Sequence, residues 1–415
     1  MDEADRFGRI ARRAAAPPVG RVVRRPVHGP RGADGAGAAT FPLTYVRTSH
    51  GTGTPIVVLP GGPGLASVLP YRPFRKIAAA RGLDVIMVEH RGVGLSRRDD
   101  HGHDLPVDAV TVEAAVSDVA AVLDDAGVDR AVVYGSSYGT YLAQGFGLRH
   151  PDRVAGMVLD SPVLSARLPD DARANLRRLL WDGADPATAH LAAQVRALSG
   201  SGAVPAAEVG PVVQIVYEFL GPAGLGAFLT AARAGRARRT WAWLARLGEQ
   251  ESTGRGVRYV FEPDLVVGIA FGELGFGTPP DGHPLDPQTS FAEAGRRRAF
   301  DREPYDLPSA LPSFDWPIAA ISGDRDLRTP RPVAERAVAL APDAVLVAVP
   351  DFGHSTLDGH PDLALLVAAA VGAGTHHRLP ALAPRLAALP RRGRQRLLGP
   401  ALAAALRAER LLPAA

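Results

Sequence analysis

Arg130-Ala131-Val132-Val133-Tyr134-Gly135-Ser136-Ser137-Tyr138-Gly139 is the stretch on which the reading of this chain turns. The β-branched centre of Arg130–Tyr134 predicts a strand, and Tyr138–Arg149 predicts a helix. Gly135-Ser136-Ser137-Tyr138-Gly139 leaves room between them only for a sharp turn. A Gly-x-Ser-x-Gly between strand and helix presents its central serine above the sheet, and the turn is so tight that only small residues fit two positions either side. The central position is Ser137, not Ser136. The helix N-terminus that follows favours negative charge developing beside it. Ser137 is therefore the candidate nucleophile.

Working outward, strand and helix alternate from Phe41 onward. Leu43–Arg47, Pro55–Leu59, Asp84–Val88 and Val154–Leu159 read as strands, with helices at Tyr71–Ala80 and Thr111–Ala126. Repeated units of this length indicate an α/β fold, a mostly parallel sheet with helices on both faces. The alternation stops over 163–312, an Ala/Arg/Leu-rich stretch of helical period, and resumes with the strands Ile318–Ser322 and Ala344–Val349. The expected organisation is a flexible Arg-rich leader at 1–40, core at 41–162, a helical insertion at 163–312, core again at 313–375 and an extension at 376–415.

Across 415 residues, 46% hydrophobic and 22% charged content is ordinary for a globular enzyme. The net charge of +4 hides an asymmetry. Each forty-residue end holds eight Arg, and the body between them is acidic by seven charges. A nucleic-acid binder would want a basic stripe on the folded body, so nucleic acid is not an expected partner, and the Arg-rich ends are expected to be solvated. No apolar run reaches the ~18 residues of a membrane span, and no signal-peptide core precedes the fold, so a membrane is not expected either. There is no cysteine, hence no disulfide framework and no thiolate metal site or nucleophile. These features point to a cytoplasmic protein.

A serine hydroxyl needs a base, itself oriented by an acid. With an elbow of this kind the partners follow in the order Ser, Asp or Glu, His, at the carboxyl ends of strands. Gly323-Asp324-Arg325-Asp326 follows one late strand and Asp351-Phe352-Gly353-His354 follows the other. His354 is the candidate base; His90, which precedes the serine, is its rival. Asp326 is the candidate acid, with Asp324 as the alternative. Backbone N–H groups must also face the developing oxyanion. Tyr138 can supply one, and Gly62 in Leu59-Pro60-Gly61-Gly62-Pro63-Gly64 another, with Gly61 second; Pro63 has no N–H to give.

Gly61–Gly64, Glu89-His90-Arg91-Gly92-Val93-Gly94-Leu95-Ser96, the elbow and Gly323–Asp326 stand in one order and at familiar intervals. Together they resemble the proline iminopeptidase and tripeptidyl aminopeptidase family of serine peptidases, over roughly 41–162 and 313–372. That family usually has His where this chain has Pro60, and Asp-Gln where it has Glu89-His90. The resemblance implies the α/β-hydrolase fold, with a helical cap between strands six and seven. It implies an aminopeptidase that releases an N-terminal proline or small apolar residue from short peptides through an acyl-enzyme, without metal or organic cofactor. In the family, acidic cap residues bind the substrate's α-amino group; Glu273 and Glu218, each among apolar neighbours, are the candidates here. Such a charge-assisted contact contributes ~1.5–3 kcal/mol. The alternatives are an ester, lactone or amide hydrolase using the same triad, and a catalytically silent binding protein on the same fold.

Overall fold

The computed structural model describes residues 3–28, 39–48, 51, 53–252, 256–392 and 395–410. Eight strands form one sheet: β1 (Gly20–Pro26), β2 (Thr40–Arg47), β3 (Ile56–Leu59), β4 (Val85–Val88), β5 (Ala131–Ser136), β6 (Val154–Asp160), β7 (Ile318–Gly323) and β8 (Ala344–Val349). Their order is β1-β2-β4-β3-β5-β6-β7-β8. β1 and β2 run antiparallel to their neighbours, and every other pair is parallel. Every residue of β3, β4 and β5 is buried, which is why these strands carry no polar alternation: helices cover both faces.

The helices of the sheet region and N-terminus are α1 (Glu3–Ala14), α2 (Arg72–Ala80), α3 (Val112–Asp125) and α4 (Tyr138–Arg149). The segment between β6 and β7 adds α5 (Leu168–Leu180), α6 (Ala189–Gly200), α7 (Ala206–Arg233), α8 (Arg238–Ser252), α9 (Ala292–Arg297) and α10 (Leu307–Ala310). After β7 come α11 (Arg331–Leu340), α12 (Thr356–Gly359), α13 (Pro361–Gly372), α14 (Leu379–Ala387) and α15 (Leu398–Arg410). α3 and α4 pack on one sheet face through residues such as Val116, Leu123 and Phe146. α2, α13 and α14 cover the other through Phe74, Leu363, Val367 and Leu379. The cap has a separate apolar core, built on Leu180, Leu191, Val212, Phe228 and Trp241.

α7 is broken at Gly221, whose φ of 68° and ψ of −172° leave the helix just before Pro222. Proline cannot donate into the preceding turn, and the positive φ with extended ψ at Gly221 is a conformation essentially reserved for glycine. α7 also qualifies the reading of apolar runs: among the described residues it is long and apolar enough to cross a membrane. Here its apolar side chains, Val209, Val212, Val216 and Leu229, are buried in the cap core.

Two expectations for the chain ends are corrected. Residues 1–40 are not simply a flexible leader; they contain α1 and β1, while 29–38 lie outside the described residues. β1 pairs along all seven of its residues with β2. Arg25 anchors it, giving Nε–H to Asp118 at 2.9 Å and Nη2–H to Ser117 at 2.8 Å. At the other end, α15 is not a solvated tail: Leu402 and Leu406 are buried in the cap core. Glu409 accepts the Arg239 and Thr240 amides at 2.7 and 2.9 Å, closing the N-terminus of α8.

Candidate active site

The elbow is set by its glycines. A Cβ at Gly139 would sit on the Leu59 carbonyl oxygen, and one at Gly135 on the Gly139 carbonyl. Ser137 is thereby held at φ 52°, ψ −121°, a strained conformation for a residue with a side chain. From Ala131 through Gly147 it is the only residue that is not buried. Its N–H donates to the Asp160 carbonyl at 2.8 Å, and its own carbonyl accepts the Thr140 amide at 2.8 Å. Tyr138 opens α4, where the amide has no partner within the helix.

His354 stands on the loop after β8, part exposed, with Nδ1 2.9 Å from Asp326 Oδ2. A carboxylate can only accept, so Nδ1 carries the proton and Nε2 keeps its lone pair to act as a base. Asp326 is fixed in turn: Oδ1 accepts the Arg328 and Thr329 amides at 2.9 and 3.0 Å, and Oδ2 accepts the Thr329 hydroxyl at 2.9 Å. Burial works against the charged form of His354, but the charge and hydrogen bond of Asp326 outweigh it and lift the imidazole above its ordinary value. Burial likewise opposes ionisation of Asp326, and the same partner with the Thr329 donors brings its carboxyl below the usual range. Asp324 points elsewhere: its Oδ1 accepts the Phe352 amide at 3.1 Å and braces the histidine loop. Of the two aspartates, Asp326 is the one on the imidazole.

His90 is also drawn to the site, in another capacity. Its Nδ1 must donate to the Arg91 carbonyl, 2.6 Å away, so its Nε2 accepts the Tyr138 hydroxyl at 3.0 Å. Burial pushes its pKa down to about 4, so it is neutral at ordinary pH. The glycine loop lies directly on the elbow: a Cβ at Gly61 would meet Ser137 Cβ at 3.1 Å and Oγ at 3.7 Å. Gly62 follows it at φ 114°, a left-handed conformation suited to glycine. A cavity of about 20 Å³ behind this loop, lined by Pro60, Gly61, His90 and Tyr138, has room for about one water and not for a substrate group.

The loop is strapped from the cap. Ala66 N–H reaches the Val260 carbonyl at 3.0 Å, and Glu262 N–H the Gly64 carbonyl at 2.8 Å. Arg97 of the core ties the strap down through Glu262 at 3.1 Å and Asp264 at 2.5 Å.

The two cap glutamates sit differently. Glu273 ends a π-helical turn, Gly268–Glu273, and its Oε2 accepts the Val112 amide at the start of α3 at 2.9 Å. Its other oxygen has no protein donor among the described residues. Burial, with the charge of Glu113 adding to it, outweighs the Val112 bond and nearby Arg302 and Arg298, pushing the carboxyl up to about 7. It lies near enough to Tyr138 for its charge to add to burial in raising that phenol. Glu218, on α7, is buried against the acid loop instead. It accepts Leu327 N–H at 3.4 Å and pairs with Arg328 Nε at 3.3 Å. Thr329 and Arg328 were not visible as site residues in the sequence, since their roles depend on the loop folding back on Asp326. Asp160 was, in principle: it is the polar residue that ends an apolar parallel strand. Among the described residues no group of three or more histidines and carboxylates is gathered as a metal site.

A family model described as the alpha/beta hydrolase fold matches residues 54–206. With the sheet order and the elbow, it defines the class: this chain has the α/β-hydrolase fold, as its motifs led one to expect. Within the class it is similar to a proline iminopeptidase of Heyndrickxia coagulans, 32% identical over 136 residues, 32% of this chain and 44% of that one. The chain thus spans less than half the length of this curated relative. Among solved structures, a proline iminopeptidase of Mycobacterium smegmatis is 20% identical with a TM-score of 0.48, over 87% of this chain and 99% of that one. An N-acyl homoserine lactone degrading enzyme is 21% identical with a TM-score of 0.42, over 81% and 95%.

Proposed function

We propose that the chain is a serine hydrolase in which Ser137 attacks an acyl carbonyl, His354 moves the proton and Asp326 holds the imidazole. The observation that carries this is the 2.9 Å His354–Asp326 bond, which leaves Nε2 as a base on the loop after β8, three strands along the sheet from the elbow after β5. His354 Nε2 takes the Ser137 proton as the Oγ–C bond forms, and returns it to the leaving group as the acyl-enzyme appears. Water then repeats the sequence to release the acid. The amides of Tyr138 and Gly62 stabilise the oxyanion.

Within that chemistry the favoured activity is an aminopeptidase acting on short peptides with an N-terminal proline or small apolar residue. Glu273 supports it: a half-buried carboxylate at about 7, with no cation bonded to it among the described residues, gains most from a substrate ammonium. The same group, protonated, is uncharged and has no need of an ammonium partner, which favours an ester or lactone as the second reading. Hydrolysis of free and N-acetylated prolyl amides beside a simple ester separates the two. Preference for the free amine supports the aminopeptidase; preference for the acetylated amide or the ester overturns it.

A further inference from the structure

We propose that Asp160 and Ser136 are positioning residues that set the His354 loop against the Ser137 elbow; the role rests on Ser137 and His354 being nucleophile and base. Asp160 ends β6, the neighbour of β5. Its carbonyl accepts the Ser137 amide at 2.8 Å. Its carboxylate accepts the Thr356 amide at 3.0 Å, the Leu357 amide at 2.8 Å and the Tyr134 hydroxyl at 2.8 Å. The next residue, Ser161, accepts the Ser355 amide on its Oγ at 3.0 Å. One dipeptide therefore holds the backbone of the nucleophile and of the three residues that follow the base.

A second tie joins the same two segments. Ser136, one residue before the nucleophile, and Ser355, one after the base, have hydroxyls 2.8 Å apart. Ser355 gives its proton to Asp358 Oδ2 at 2.7 Å, because a carboxylate can only accept. Ser136 must then be the donor to Ser355. Asp358 is fixed from beyond by the Tyr71 hydroxyl, 2.7 Å from Oδ1.

Backbone strain marks the same joint. Ser137, Ser161 and Ser355 have φ of 52°, 59° and 63°, three of the six described residues other than glycine at positive φ. Such conformations persist only where the surroundings over-determine them, and here the same hydrogen bonds join all three. Asp160 is fully buried with no cation bonded to it among the described residues. An apolar residue would fill that space without the desolvation; the carboxylate adds two acceptors that pin three donors to one point.

The test uses a fluorophosphonate, so it assumes nothing about the natural substrate. Ser137 Oγ forms the O–P bond, fluoride leaves, and the serine proton passes to His354. The maximal inactivation rate and the probe's KI are measured on the full chain for the wild type, Asp160→Asn, Ser136→Ala and Ser137→Ala, with Tm alongside. Displacing the base loop should lower the maximal rate about 10- to 100-fold in Asp160→Asn, and less in Ser136→Ala, with KI changed by less than about twofold. A wild-type maximal rate in folded variants overturns the proposal, also where Tm alone falls, because that is what a merely structural role would do. Should Asp160→Asn fail to fold, Ser136→Ala decides by the same criterion. Continued labelling of Ser137→Ala would instead overturn the nucleophile assignment beneath it.

Discussion

Replacing Glu273 by Gln removes a charge and leaves an oxygen for the Val112 amide, which now reaches Oε2 at 2.9 Å. The start of α3 therefore keeps its partner, and the variant tests charge and little else. If the carboxylate receives the substrate ammonium, losing that contact costs ~1.5–3 kcal/mol, or ~10- to 150-fold in kcat/KM for free-amine substrates. The carboxyl titrates at about 7 in the free protein, so the size of the loss depends on pH in a fixed direction. One unit below that value only about a tenth of the wild type carries the carboxylate, while the substrate amine, near ~8, stays charged. At pH ~8 about half of the amine is charged, so the wild-type advantage should shrink about fivefold between pH ~8 and pH ~6. Titration of His354 affects wild type and variant alike and cancels in their ratio. The assay is kcat/KM for prolyl and N-acetylprolyl anilides across that range. A ratio that stays flat with pH, or equal losses on both substrates, would refute an ammonium contact at Glu273.

Other outcomes follow from the triad and the chain ends. Asp326→Asn should lower kcat by ~10⁴ through the wrong imidazole tautomer, and Asp324→Asn far less, since Asp324 bonds the Phe352 amide; steady-state kinetics would show the reverse ranking if Asp324 were the acid. Because Asp326 lifts His354, the acid limb of the wild-type profile should lie above ~6.5, where an unperturbed imidazole titrates; a limb at or below that point would contradict the ion pair. Leu402→Ala should cost ~2–5 kcal/mol in denaturant unfolding, because Leu402 is buried in the cap core; a cost under ~0.5 kcal/mol would mean that α15 does not pack there.

The parts of this fold that could be read from the sequence are those whose signal is local. The elbow depends on two glycines and a strand–helix junction, all within ten residues. Asp326 and His354 were legible because each lies just past an apolar parallel strand, and the choice between Asp326 and Asp324 needed the loop's actual path. β1 was hidden because Gly-Arg-Val-Val-Arg-Arg-Pro is charged and short; what holds it is a ladder to β2 and Arg25 on Asp118, both long-range. α15 carries Leu398, Leu402 and Leu406 at helical spacing, yet nothing local says that this face meets the cap. Glu218 and Glu273 look alike in sequence, each a carboxylate among apolar residues. Their difference, Arg328 bonded to one and no cation bonded to the other among the described residues, is made entirely by tertiary packing.

The central claim is that Ser137 is the nucleophile and His354 its base, and mapping a covalent adduct tests it most directly. Wild-type chain treated with a fluorophosphonate, digested and sequenced by tandem mass spectrometry should carry one adduct, on Ser137. Labelling should fall by ~10⁴–10⁶ in His354→Ala, as expected when a triad member is lost. An adduct on Ser136 or on any other serine, or labelling undiminished without His354, would contradict the account.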